Sequence, residues 1–272
     1  MSTSVVKELL TPGKKGNRML QQLPTIELFD EPRLSKKQKR LLRKQQQTTQ
    51  SPNAGLRLKK IYPLTQNQRK TFEAYDSEND LLLMGCAGTG KTFLSFYLSL
   101  EEVLEPNSPF KKIVVFRSVV PSREMGFLPG KAADKTKVYE APYHGICAEL
   151  FGRTDAYDVL KGRGLVQFES TSFIRGITLS DCIIIVDEFQ NLNWMELKSV
   201  ITRVGENCKI IYSGDVRQSD LYKNDKHDCL KFIKVVDEMN DFVKITFEVE
   251  DIVRSARVKS FIKAAYKLGF DA

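Results

Sequence analysis

Gly85-Cys86-Ala87-Gly88-Thr89-Gly90-Lys91-Thr92 decides the fold. Immediately before it stands Leu81-Leu82-Leu83-Met84, an apolar run of strand length. After it, residues 93–104 place apolar side chains at three- and four-residue spacing, as an amphipathic helix does. The stretch reads as strand, glycine-rich turn and helix, and its spacing is that of G-x-x-x-x-G-K-[ST]. Glycines let the backbone wrap a phosphate chain with its N–H groups aimed inward, and the following helix offers its positive N-terminal end to the same anion. In such a loop Lys91 reaches the β- and γ-phosphates and Thr92 sets its hydroxyl on Mg2+. Cys86 reads as a small filler of the loop rather than a redox group.

Working outward, strand-length apolar runs recur at Ile113–Phe116, Leu165–Phe168, Ile183–Val186, Ile210–Tyr212 and Val243–Phe247. Most are unbroken runs, the pattern of strands buried on both faces. Helical spacing returns over Met195–Val204, Leu230–Met239 and Val258–Leu268. Residues 61–272 therefore predict one α/β domain, a parallel sheet flanked by helices. Ile183-Ile184-Ile185-Val186 delivers Asp187 and Glu188 at a strand's C-terminal end, where open parallel sheets bind their ligands. Asp187 is expected to hold Mg2+, directly or through water, and Glu188 to position and deprotonate an attacking water. Ser213-Gly214-Asp215-Val216-Arg217-Gln218 follows the next strand in the same manner, and Gln218 is placed to sense the γ-phosphate.

Composition narrows the class. Hydrophobic residues make up 42% and charged residues 28% of 272, ordinary values for a folded chain, so it is read as neither disordered throughout nor membrane-embedded. No apolar run approaches the roughly 20 residues a membrane helix needs, and Met1–Glu8 lacks a signal-peptide layout, so a cytoplasmic protein is expected. Five cysteines without a C-x-x-C pair, and two histidines, support neither a disulfide framework nor a zinc site. The charge is lopsided: residues 1–60 carry 14 Lys/Arg against 4 Asp/Glu, whereas residues 61–272 carry 28 against 30. Residues 1–60 therefore read as a basic extension, a mobile arm or an exposed helix. It serves either as a phosphate contact for nucleic acid or as a solubilising tail.

Together these residues resemble the PhoH family of P-loop ATPases, a phosphate-starvation-inducible group that phage genomes also carry. The resemblance runs from about Leu64 to Tyr266. It rests on Leu64-Thr65-Gln66-Asn67-Gln68, the loop ending Gly90-Lys91-Thr92, Gly126-Phe127-Leu128-Pro129-Gly130, Arg175-Gly176, Asp187-Glu188-Phe189-Gln190-Asn191, Thr202-Arg203-Val204-Gly205, Gly214-Asp215 with Gln218 and Asp220-Leu221, and Asp251-Ile252-Val253-Arg254. It implies a RecA-like fold similar to the first motor domain of superfamily 1 helicases, with Gln68 reading the adenine edge. The chain departs from the family pattern at Arg117-Ser118 and at Phe189. Some relatives carry a nuclease domain in front; a basic extension without a carboxylate cluster predicts no such activity here.

Fewer residues follow Leu221 than a second motor domain requires. An arginine for the transition state is therefore expected from a neighbouring copy, with Arg254 the first choice and Arg203 and Arg175 after it. If the family's ring assembly carries over, the particle is a homohexamer closed by head-to-tail contacts. The resulting reading is an ATPase using ATP and Mg2+, coupled to RNA or single-stranded DNA. A nucleotide-gated oligomeric scaffold with little turnover is the alternative, and a small-molecule kinase a third reading disfavoured by the Asp187-Glu188 pair.

Overall fold

The computed structural model of the protein describes residues 55–118, 132–171, 178–216 and 223–268. Among them the order is α1 (Gln66–Asp76), β1 (Asp80–Gly85), α2 (Lys91–Leu104), β2 (Lys112–Arg117), α3 (Ala132–Phe151), α4 (Ala156–Gly162), β3 (Val166–Ser170), β4 (Cys182–Asp187), α5 (Trp194–Ile201), β5 (Cys208–Gly214), α6 (Lys223–Met239), β6 (Phe242–Phe247) and α7 (Ala256–Lys267). Short 3-10 turns follow β4 at Phe189–Asn191 and β6 at Val249–Asp251. The six strands form one sheet in the order β3-β2-β4-β5-β1-β6, with every pairing parallel. This is the RecA-like P-loop architecture expected of the sequence.

The unbroken apolar runs have a direct cause. Leu81, Leu83, Ile113, Val115, Ile183 and Ile185 enter one core with Phe96 and Leu100 of α2, Tyr143 of α3 and Tyr157 of α4. Leu82, Val114, Phe116, Ile184 and Val186 enter a second core on the other face, with Leu197 and Val200 of α5 and Phe232 and Val236 of α6. Successive side chains leave opposite faces of a strand, so a strand covered on both sides has to be apolar at every position. Every residue of β4 is buried. Its last residue is Asp187, so the most apolar strand carries a carboxylate to the edge where β1 and β5 also end.

Residues 56–61 join the same unit: Leu56 is buried, Lys59 N–H donates to Leu150 O at 2.9 Å, and Ile61 N–H to the Tyr97 hydroxyl at 3.2 Å. Among the described residues no helix is long and apolar enough to cross a membrane. Cys86, Cys147, Cys182 and Cys229 are buried and Cys208 is partly so, none of them in a disulfide.

Candidate nucleotide site

β1 stops at Gly85 because of what lies beside it. Its φ is +114°, and a Cβ there would overlap the Phe247 carbonyl of β6, which already accepts the Cys86 N–H at 3.1 Å. Only glycine tolerates both the backbone angle and the approach. Gly90, at φ +88°, is the N-cap of α2, and no side chain caps that end. The first-turn N–H groups of a 14-residue helix are thus presented at the loop, which suits an anion. Thr89 Oγ1 donates to Cys86 O at 2.9 Å and braces the turn from within. Lys91 folds back over it, its Nζ donating to Gly85 O at 2.7 Å and Cys86 O at 2.9 Å. Burial lowers the Lys91 pKa, while the nearby Asp215 and Glu188 carboxylates oppose that shift.

Asp187 meets this loop across β5. Thr92 Oγ1 and Ser213 Oγ both donate to Asp187 Oδ1 at 2.8 Å, and the Tyr143 hydroxyl donates to Oδ2 at 2.8 Å. The Arg117 guanidinium lies 3.7 Å from the same Oδ2. Register explains the meeting: Asp187 pairs with Ser213 on β5, whose other neighbour is β1, and Thr92 stands in the first turn of α2. Tyr143 is fully buried, and burial followed by the adjoining Asp187 carboxylate raises its phenol well above the usual range. It is the O–H donor here, with Asp187 as acceptor. Hydroxyl and carboxylate oxygens are the donors a hard cation such as Mg2+ prefers, so Thr92, Asp187 and Ser213 fit that ion.

Glu188 follows with a left-handed backbone, φ +51° and ψ +46°. Gln190 Nε2 donates to Glu188 Oε2 at 2.6 Å, and Gln190 Oε1 accepts the Asp215 N–H at 3.1 Å. Burial and the neighbouring Asp187 push the Glu188 carboxyl upward, with the Gln190 bond pulling the other way.

Gln68 lies at the loop as well. Its Oε1 accepts the Leu64 N–H at 2.7 Å and its Nε2 donates to Thr89 O at 3.0 Å. A primary amide offers two N–H groups and two lone pairs, and these bonds engage one of each. The segment after β6 closes on the same loop: Val253 N–H donates to Gly88 O at 3.0 Å, and Asn67 Nδ2 donates to Asp251 Oδ2 at 2.7 Å. Arg254 lies beside the loop of its own chain, since a Cβ on Gly88 would come within 2.9 Å of Arg254 Cγ. The pairing of β6 with β1 returns residues 248–254 over the P-loop of the same chain. Arg203 sits at the other end of the strands, its carbonyl accepting the Leu179 N–H at 2.8 Å ahead of β4. Gln218, Arg175 and the stretch 119–130 lie outside the described residues.

The structure therefore brings Lys91, Thr92, Asp187, Glu188, Gln68 and Arg254 to one end of the sheet. It adds Tyr143, Arg117, Ser213 and the bridging role of Gln190, which the sequence reading does not assign. Ser213 carries a usable signal, since it is the polar residue that follows the apolar run Ile210–Tyr212 and precedes Gly214 at the end of β5. Tyr143 carries none, because its contact depends on where α3 packs.

Comparison with known proteins bears on this arrangement. A PhoH-like protein of Bacillus subtilis (strain 168) is 33% identical over 208 residues, covering 76% of this chain and 64% of that protein. Protein PhoH2 of the same organism is 41% identical over 144 residues, 51% of this chain and 32% of that one. Protein PhoH of Escherichia coli (strain K12) is 32% identical over 190 residues, 68% and 52% of the two chains. This chain thus spans between about one third and two thirds of the length of these relatives. Among solved structures, the large terminase from a thermophilic bacteriophage in complex with ADP aligns at TM-score 0.45 with 14% identity, covering 75% of this chain and 50% of that one. The Pif1 helicase from Candida albicans aligns at TM-score 0.40 with 16% identity, covering 76% and 44%. The family model described as PhoH-like protein matches residues 60–267, and the chain belongs to that family.

Proposed function

We propose that the protein is an ATPase that binds ATP with Mg2+ and hydrolyses it, and that turnover is coupled to RNA or single-stranded DNA. The observation that carries the hydrolytic reading is the convergence of Thr92 and Ser213 on Asp187 beside the uncapped N-terminus of α2, with Glu188 next in the chain. Loop amides and Lys91 bind the phosphates, Lys91 exchanging its bonds to Gly85 O and Cys86 O for phosphate oxygens. Thr92 and Asp187 would hold Mg2+, which when bound neutralises charge on the β- and γ-phosphate oxygens. Glu188 orients water for in-line attack on the γ-phosphorus and takes its proton, as the bond from that phosphorus to the β,γ-bridging oxygen breaks and ADP leaves. Gln68 keeps one N–H and one lone pair for the adenine edge. Arg254, beside Gly88, supplies charge at its own chain's loop, and an arginine from a neighbouring copy completes the site.

Two further features support the partners. Residues 1–60 concentrate the positive charge that phosphate backbones attract. Helix α7 buries none of its residues and exposes Val258 and Phe261, an apolar face suited to a second copy of the chain. The reading is tested by nucleotide binding and phosphate release for the wild type and Lys91→Ala. Loss of ATP affinity in the variant and Mg2+-dependent phosphate release by the wild type are expected. Equal ATP affinity in the two proteins would sink the assignment of this loop.

A further inference from the structure

Gln190 stands two residues after Glu188, in the 3-10 turn Phe189–Asn191, and is 1% exposed. Its carboxamide spans two strand ends, donating to Glu188 just past β4 and accepting from the Asp215 amide just past β5. The space it fills exists because residue 214 has no side chain. A Cβ on Gly214 would overlap Gln190 Oε1 and come within 2.8 Å of Phe189 Cδ1. The chemistry asks for an amide, since one group has to donate to a carboxylate and accept from a backbone N–H at once. An ionised glutamate can only accept, and would set a second charge against Glu188. Glu188 itself has left the strand conformation, so the regular geometry of β4 does not aim its side chain.

We propose that Gln190 is a positioning residue for ATP hydrolysis: it holds the Glu188 carboxylate through a carboxamide bridge to the backbone after β5, so that movement of that backbone releases Glu188. The inference rests on the ATPase reading. It supplies a physical link between the chain following Gly214 and the group that orients water, carried by two hydrogen bonds and one missing side chain.

Gln190→Met keeps the volume and removes both bonds. It is expected to lower kcat about 10- to 100-fold, the scale on which a displaced catalytic group costs rate, with KM for ATP changed less than about threefold. The unfolding temperature falls because a buried N–H loses its acceptor, and kcat is compared at a temperature where both proteins are folded. Gly214→Ala, which crowds the carboxamide from the other side, is expected to lower kcat in the same way with Gln190 intact. In the Glu188→Gln background the Gln190→Met loss is expected to shrink to less than about twofold, because the two residues act as one unit. A merely structural role would leave the two losses multiplicative. Hydrogen exchange at the Asp215 amide, read without any turnover, is expected to quicken at least about tenfold in Gln190→Met as its acceptor disappears. Unchanged exchange at Asp215, or a full loss of kcat persisting on Glu188→Gln, overturns the bridge. A wild-type protein that releases no phosphate overturns the ATPase reading and this role with it; normal turnover beside unchanged exchange overturns the bridge alone.

Discussion

Asp187 has three hydroxyl donors and one guanidinium gathered around one carboxylate, and they come from four elements: Thr92 from α2, Ser213 from β5 and Tyr143 from α3 donate to it, and Arg117 from β2 faces it at 3.7 Å. A buried carboxylate is tolerable only when it is bonded in this way. The same bonds fix its direction, as the proposed Mg2+ site requires. Tyr143→Phe removes one of them without changing the packing volume. It is expected to cost about 1.5–3 kcal/mol of stability, the range for a hydrogen bond to a charged group, and to raise the Mg2+ concentration for half-maximal turnover several-fold. Denaturant midpoints and a Mg2+ titration check both, and an unchanged Mg2+ dependence would remove Tyr143 from the site. Residues inside motifs are legible by type and spacing. Tyr143 and Arg117 are not, because their contacts are set by tertiary packing and no local rule places a phenol or guanidinium there.

All six strands are legible at the level of elements: the four inner ones because burial on both faces makes them unbroken apolar runs, as Ile183–Val186 shows, and the edge strands β3 and β6 from shorter apolar clusters with polar residues between them. Helices α2, α5 and α7 show in their period with ends shifted by three residues or fewer, whereas α6 starts at Lys223, seven residues before the expected Leu230, because its first two turns are polar. Helix α3 does not. Pro142 lies inside it, a residue that ordinarily ends a helix by removing a donor and clashing with the preceding turn, and Gly145 weakens it further. Helix α1, Gln66–Asp76, is hidden by its polar composition, although Thr65 Oγ1 accepts the Gln68 N–H at 3.3 Å as an N-cap. At the start of β1, Asp80 Oδ1 accepts the Ile210 N–H at 2.8 Å, and burial raises its carboxyl to about 6. A carboxyl with a higher pKa folded than unfolded holds its proton more tightly when folded. Its contribution is therefore complete below the unfolded value and is lost as pH rises through about 6. Asp80→Asn keeps the acceptor and carries no charge. It is expected to be more stable than the wild type by about 1–3 kcal/mol near pH 8 and to lose that advantage below about pH 4. Urea midpoints at the two pH values check it; an advantage that grows on acidification contradicts the argument.

For the whole molecule, the charge map and α7 make separate statements. If residues 1–60 carry the nucleic-acid contact, removing residues 1–50 weakens binding of single-stranded RNA and flattens its dependence on salt, because fewer counterions are released. Fluorescence anisotropy across a KCl series reads this, and an unaltered slope would return those residues to the role of a solubilising tail. If α7 is a contact between copies, Phe261→Asp should dissociate the assembly while leaving the fold intact, since Phe261 is exposed and contributes to neither core. Sedimentation velocity decides it, and a wild type that sediments as a monomer with full turnover would remove the need for a neighbour's arginine. Neither statement is legible in the loop-and-strand motifs, which report the chemistry of one site and say nothing of what surrounds it.

In the proposed reaction Glu188 works on water at a site where Lys91, Thr92 and Asp187 hold Mg-ATP. This role is tested most directly by single-turnover release of phosphate from bound ATP, in the wild type and in Glu188→Gln, with nucleotide affinity measured on the same samples. ATP binding within about threefold of wild type is expected in Glu188→Gln, with phosphate release slowed at least about 100-fold, the low end of what a positioned general base contributes. Equal rates of release in the two proteins would contradict that role.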